Sequence, residues 1–84
     1  MSYKVLILSR AESELSLLPK NEFLRVDSSI LALKTNPRPP GCKKLKERTG
    51  WRIRSGSYRI VYEIDDGART VTVIKIGHRS DVYR

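Results

Sequence analysis

The chain begins with a short apolar run, Tyr3 to Leu8, that is rich in β-forming residues and predicts a first strand. Ser9 followed by Glu12 fits a capping box, in which a hydroxyl and a carboxylate each bond a helix-start amide, so a helix is expected to begin here. Three apolar residues then recur at helical spacing: Ala11, Leu15 and Leu18. Pro19 ends this first helix, because it has no N–H to donate.

A second amphipathic helix is predicted from Lys20 onward. Its apolar residues again share one face: Phe23, Val26, Ile30 and Leu33. Asn36-Pro37 ends this helix, and Pro39-Pro40-Gly41 predicts an extended loop after it.

After that loop apolar residues recur at every second position, which is typical of strands. Three runs show it: Trp51 to Ser55, Tyr58 to Ile64 and Thr70 to Ile76. Gly56-Ser57 and Asp65-Asp66-Gly67 separate the runs and suit tight hairpins, so the runs predict a three-stranded antiparallel meander. The chain is therefore expected to be one α+β domain over residues 1–84, with an N-terminal strand, a two-helix hairpin and a sheet that carries the helices on one face.

The alternation within the strands assigns side chains to the two faces of this sheet. Tyr58, Ile60, Tyr62 and Ile64 are expected to cover the helices, which leaves Arg59 on the open face. By the same alternation, Arg52 and Arg54 share one side of the preceding strand.

The charge is concentrated in the second part of the chain. The formal net charge is +8, and residues 38 to 84 hold 12 basic and five acidic residues against five and four in residues 1 to 37. Such a field attracts a polyanion or an acidic protein partner. The candidate phosphate-binding residues are Lys43, Lys44, Lys46, Arg48, Arg52, Arg54, Arg59, His78 and Arg79, and Tyr58 and Tyr83 are candidates to stack on bases.

Several other kinds of site are not supported by the sequence. There is no P-loop, dinucleotide-binding glycine motif, zinc-protease motif or nucleophile elbow. The one cysteine, Cys42, and the one histidine, His78, do not predict a metal site, a disulfide or a bound cofactor. The apolar run near the N-terminus is too short for a signal peptide or a membrane span, so a cytoplasmic protein is expected.

The second part of the chain carries N-P-R-P-P, W-R-I-R-S-G-S-Y-R-I-V-Y-E-I and I-G-H-R-S-D-V-Y, and above all R-x-G-x-Y-R-x-x-Y followed by G-x-R-x-x-x-Y. These motifs resemble those of the RelE-type toxins of the RelE/ParE superfamily. The preceding strand and two helices fit the same fold, so the resemblance covers essentially the whole chain. It implies a toxin that enters the ribosomal A site and cleaves mRNA there, without a metal, by attack of a ribose 2′-hydroxyl on the adjacent phosphate. It also implies a co-encoded antitoxin that binds and blocks the toxin.

The resemblance assigns roles by position. It implies that Arg59 and Arg79 contact the scissile phosphate, that Tyr83 stacks on a base, and that Arg52 and Arg54 hold positions where the best-known pattern has lysines. An arginine side chain keeps its proton in proteins and is a poor general base, so both are expected to act as electrostatic clamps. His78 is then the favoured candidate for the base, and Glu47 is the alternative.

Two other functions stay open at this stage. A ParE-like toxin would share the fold but bind and inhibit DNA gyrase. A noncatalytic RNA-binding or antitoxin-binding module would keep the basic field without turnover.

Overall fold

The computed structural model describes residues 2–46 and 48–78, which form two helices and five strands. In chain order the elements are β1 (Lys4–Ile7), α1 (Ser9–Ser16), α2 (Lys20–Ala32), β2 (Lys43–Lys44), β3 (Trp51–Ser55), β4 (Tyr58–Asp65) and β5 (Thr70–His78). The α+β class and the order of strand, two helices and meander are confirmed.

The strands form one mixed sheet in the order β1-β5-β4-β3-β2. The predicted meander of β3, β4 and β5 is antiparallel throughout. Two pairings were not predicted: β1 lies parallel to β5, and the two-residue β2 pairs with the start of β3. The sheet therefore has its two longest strands, β4 and β5, near its centre.

Both helices pack on one face of this sheet, as predicted. The core between helices and sheet is formed by Ala11, Leu15, Val26, Ile30, Leu33, Ile53, Ile60, Tyr62, Val71, Val73 and Ile76. No helix within the described residues has the length and apolar character that crossing a membrane requires.

The capping box predicted at the start of α1 is not formed. Leu8 is the N-cap, Ser9 is already the first helical residue, and no side chain caps the helix. The amide of Glu12 donates instead to the carbonyl oxygen of Leu8 at 2.9 Å. The prediction was wrong by one residue, which places the Ser9 hydroxyl past the position from which it reaches the N3 amide.

A β-bulge interrupts the pairing of β4 with β5. Val61 pairs with Lys75 and Tyr62 pairs with Val73, so Ile74 is the extra residue on β5. A bulge shifts the alternation of its strand by one residue. As a result Val73 and Ile76 both face the core, and Lys75 faces the other side of the sheet with Val61.

A polar cluster joins the start of β1 to the loop after α2. The Arg38 guanidinium donates to both carboxylate oxygens of Asp66, at 3.2 and 2.8 Å, and the Tyr3 hydroxyl donates to the same carboxylate at 2.7 Å. Arg38 also lies over the ring of Trp51, 5.1 Å from its centroid. These contacts connect four separate segments of the chain.

The cluster predicts an acid-dependent contribution to stability. The hydrogen bonds from Arg38 and Tyr3 lower the pKa of Asp66 from 3.8 to about 2, so folding favours the carboxylate. The stabilisation is complete above pH 3.8 and is lost as the pH falls through about 2.

The Asp66→Asn variant removes this titrating group. We expect it to be less stable than the wild type at neutral pH and to lose less stability between pH 3.8 and about 2. Urea denaturation midpoints across this range measure the effect, and Asp27→Asn on α2 is the control. Equal acid sensitivity of Asp66→Asn and the wild type would contradict the assignment.

Candidate nucleic-acid interface

Two arginines stand side by side on the face of the sheet opposite the helices. Arg54 on β3 is directly paired with Arg59 on β4, and both alternate with core residues of their strands, Ile53 and Ile60. Directly opposed residues of an antiparallel pair have Cβ atoms about 4.5 to 5.5 Å apart. The Arg54 residue is exposed, whereas Arg59 is only 5% exposed. The alternation placed Arg59 on the open face and did not predict this burial.

A second row of residues crosses the same face next to this pair. Lys43 on β2 pairs with Arg52 on β3, Arg52 pairs with Val61 on β4, and Val61 pairs with Lys75 on β5. Lys43 is exposed, and Arg52 and Lys75 are half-buried. We refer to Lys43, Arg52, Arg54, Arg59 and Lys75 as the basic face.

The basic face concentrates like charges that repel one another. Every charged residue in its two rows is basic, and directly opposed like charges on neighbouring strands destabilise a sheet. A bound phosphodiester offsets this repulsion, because guanidinium groups hold two phosphate oxygens through parallel N–H donors. The arrangement therefore suits a polyanion.

Three acidic side chains lie towards the opposite end of the sheet. Glu63, Asp65 and Asp66 line a cavity of about 530 Å³ near the turn between β4 and β5. This distribution of charge favours the approach of a polyanion to the end of the sheet at the β3–β4 hairpin, where Arg54 and Arg59 lie.

Comparison with known proteins gives the family of the chain. Residues 7–83 match the model of the ParE toxin of the type II toxin-antitoxin system, parDE. The chain is 33% identical to the toxin RelG of Mycobacterium tuberculosis, over 100% of this chain and 99% of that protein. The chain belongs to the RelE/ParE family of toxins.

Solved structures of RelE toxins have the same fold. The chain superposes on the RelBE2 toxin-antitoxin complex from Mycobacterium tuberculosis with a TM-score of 0.83 and 28% identity, over 94% of this chain and 100% of that one. The archaeal RelE-RelB complex from Pyrococcus horikoshii gives a TM-score of 0.85 and 25% identity, over 96% and 99%. This protein is therefore a RelE-type toxin of a type II toxin-antitoxin system.

Three other predicted RNA-binding residues of the toxin lie beside the basic face, not in its rows. Lys44 pairs with Trp51 and so faces the helix side of the sheet. Lys46 and Arg48 are exposed in the turn after β2, which the amide of Leu45 closes by donating to the carbonyl oxygen of Gly50 at 3.0 Å. Their charge adds to the field of this edge of the sheet.

The toxin places its histidine on the other side of the sheet from the paired arginines. His78 pairs with Tyr58, and the two rings meet edge to face with centroids 5.8 Å apart. Tyr58 packs against the core, so the His78 ring lies on the helix side at the end of β5. The described structure therefore does not bring His78 together with Arg54 and Arg59.

Three of the sequence-predicted site residues lie outside the described residues. They are Glu47, Arg79 and Tyr83. Their roles stay predictions. Among residues 2–46 and 48–78, no group of His, Cys, Asp and Glu side chains is placed to hold a metal ion.

The alternation did not predict that Lys75 belongs to the basic face. A regular strand would place Lys75 on the same side as Val71 and Val73. The signal in the sequence is the adjacent apolar pair Val73-Ile74, which breaks the alternation where the bulge occurs.

Proposed function

We propose that this toxin is a ribosome-dependent endoribonuclease that cleaves mRNA in the ribosomal A site. The observation that supports this most directly is the register pairing of Arg54 with Arg59 on the open face. This pairing supports a role in which both guanidinium groups contact one phosphodiester, and Arg52 in the neighbouring row adds positive charge beside it.

The proposed reaction takes its nucleophile from the substrate. The ribose 2′-oxygen bonds to the adjacent phosphorus, the bond to the 5′-oxygen of the next nucleotide breaks, and a cyclic phosphate and a 5′-hydroxyl form. The 2′-hydroxyl loses its proton, and the leaving 5′-oxygen gains one. Fixed guanidinium groups stabilise the extra negative charge of the transition state, so the reaction takes no metal or cofactor.

The remaining roles follow the resemblance to RelE-type toxins. Arg79 is proposed to supply a further guanidinium to the phosphate, and Tyr83 is proposed to stack on a neighbouring base. His78 is the sequence-based candidate for proton transfer, and its ring contacts Tyr58 on the other side of the sheet from Arg54 and Arg59.

We propose a cognate antitoxin protein as the partner of the toxin and the cytoplasm as its location. Of the two complexes compared above, RelBE2 is a toxin-antitoxin complex and the archaeal structure is a RelE-RelB complex. A segment that covers the basic face and brings acidic side chains to it would block access of mRNA.

Mapping the 5′ ends of a reporter mRNA during translation tests the proposed activity. The wild-type toxin is expected to produce new ends confined to ribosome-occupied codons, because the ribosome presents the substrate strand. Arg54→Ala is expected to lower the yield of these ends about 100-fold. Lys34→Ala removes an exposed charge at the end of α2 and is the matched control.

The second candidate is a toxin that inhibits DNA gyrase, which the match to the ParE toxin model favours. A gyrase supercoiling assay distinguishes the two. Intact message together with inhibited supercoiling would replace the endoribonuclease with the gyrase inhibitor. Intact message with active gyrase would leave a noncatalytic RNA-binding or antitoxin-binding module.

A further inference from the structure

The bulge at Ile74 adds a cation from β5, Lys75, to the basic face. Val61 lies between Arg52 and Lys75 in one row, and all three occupy direct register positions on neighbouring strands. Neighbouring strands are about 4.7 to 4.9 Å apart, so the backbone positions of Arg52 and Lys75 are separated by about 10 Å. Lys75 thus extends the basic face beyond the Arg54 and Arg59 pair.

The bulge both keeps Lys75 out of the core and places Ile76 in it. In a regular strand Lys75 would enter the apolar layer formed by Val71 and Val73, where an ammonium group is costly to desolvate. The extra residue returns Ile76 to the core and turns Lys75 to the opposite side. Bulges that redirect a side chain in this way are common next to active sites.

We propose that Lys75 binds the mRNA phosphodiester next to the scissile one, in a subsite that it shares with Arg52. The proposal rests on the proposed function, in which Arg54 and Arg59 hold the scissile phosphate. A lysine suits a flanking phosphate, because its ammonium is a point charge on a flexible stem and does not need the fixed geometry of the reacting centre. Lys75 is thus a binding residue of the site.

The salt dependence of RNA binding tests the subsite. The full-length toxin is titrated with a short single-stranded RNA oligonucleotide that carries a 2′-deoxy substitution at the cleavage position, at several salt concentrations. Each phosphate contact on a single strand contributes about 0.7 to the slope of log K against log salt. Lys75→Ala is therefore expected to lower this slope by about 0.7 and to weaken binding to all sequences alike.

Three variants make the result specific. Lys75→Arg keeps the charge and is expected to keep the wild-type slope. Arg52→Ala is expected to lower the slope as Lys75→Ala does, and Lys34→Ala, at the end of α2, is expected to leave it unchanged.

Different outcomes separate the subsite from the proposed function. An unchanged slope in Lys75→Ala overturns the subsite in every case. If Arg52→Ala still lowers the slope, the basic face binds RNA and only the role of Lys75 is wrong. If Arg52→Ala and Arg54→Ala also leave the slope unchanged, the face does not bind RNA and the proposed endoribonuclease loses its support as well.

Discussion

Replacing Arg59 with lysine is expected to slow mRNA cleavage about 100-fold, because the variant keeps the positive charge but loses the planar fork of donors. Arg59 is 5% exposed and lies in register with Arg54. A buried site has a lower effective dielectric than water, so each donor aimed at the phosphate there contributes more to the transition state than it would at an exposed position. The measurement is the single-turnover rate of cleavage on programmed ribosomes.

Lysine is the informative substitution at this buried position. It retains most of the aliphatic stem, so the thermal midpoint is expected to stay near that of the wild type. Arg69→Lys makes the same exchange in the turn between β4 and β5 and should leave the rate unchanged. If Arg59→Lys cleaved at the wild-type rate with an unchanged midpoint, the guanidinium would not contact the scissile phosphate.

The helices and the meander were predictable because each has a periodic apolar pattern with clear breaks. Pro19 stands between the two helices, and Gly56 adopts a φ of 61° in the first hairpin, a left-handed conformation that glycine adopts readily. The helical residues Val26 and Ile30 and the strand residues Ile60 and Tyr62 are all fully or almost fully buried. Local pattern and global fold agree in these elements.

The pairings that the sequence did not reveal depend on contacts between distant segments. The β2 strand has only two residues, Lys43 and Lys44, which are too few to show the alternation of apolar and polar residues that indicates a strand. The parallel pairing of Val5 with Val71 joins the two ends of the fold, and an apolar strand does not specify its neighbour. The bulge at Ile74 is a third case, because it follows from how β5 fits both the core and β4.

The candidate site was predictable to a similar extent. Alternation correctly placed Arg59 on the open face and Arg52 with Arg54 on one side of their strand, since the side-chain period of a strand is fixed. The register of β3 against β4 puts all three on the same face. It did not predict the burial of Arg59 or the position of His78 beside Tyr58. Both depend on what packs around the end of the sheet.

The loop after α2 connects the core to the basic face. The Tyr62 hydroxyl, which is fully buried, donates to the carbonyl oxygen of Pro37 at 2.7 Å. Burial raises the pKa of the Tyr62 phenol, and the nearby Cys42 thiol raises it further. Cys42 directly precedes Lys43, so the bond from Tyr62 fastens the segment that delivers this lysine to the basic face.

Replacing Tyr62 with alanine is therefore expected to have the largest effect on stability. Removal of a fully buried aromatic side chain costs about 3 to 5 kcal/mol. The total stability of a domain is about 0.05 to 0.15 kcal/mol per residue, or roughly 4 to 13 kcal/mol for this chain, so the variant loses a large part of it. Tyr62→Phe keeps the ring and leaves the Pro37 carbonyl without its donor, which costs about 1 to 3 kcal/mol. Urea denaturation measures both losses.

The reactivity of the Cys42 thiol shows whether the loss of stability in Tyr62→Phe is local to the loop after α2. Cys42 is the one cysteine of the chain, is half-buried and packs against the core, so its rate of reaction with a thiol reagent follows opening of this loop. We expect Tyr62→Phe to speed the reaction about fivefold or more under native conditions. The variant lowers the free energy of local opening by about 1 kcal/mol or more, which raises the open fraction by that factor. Tyr3→Phe, which removes a hydroxyl from the exposed Asp66 cluster, is the control and should speed it less. If Tyr62→Phe reacted at the wild-type rate, the Tyr62 hydroxyl would not hold the loop, and the pairing of β2 with β3 would be left to position Lys43.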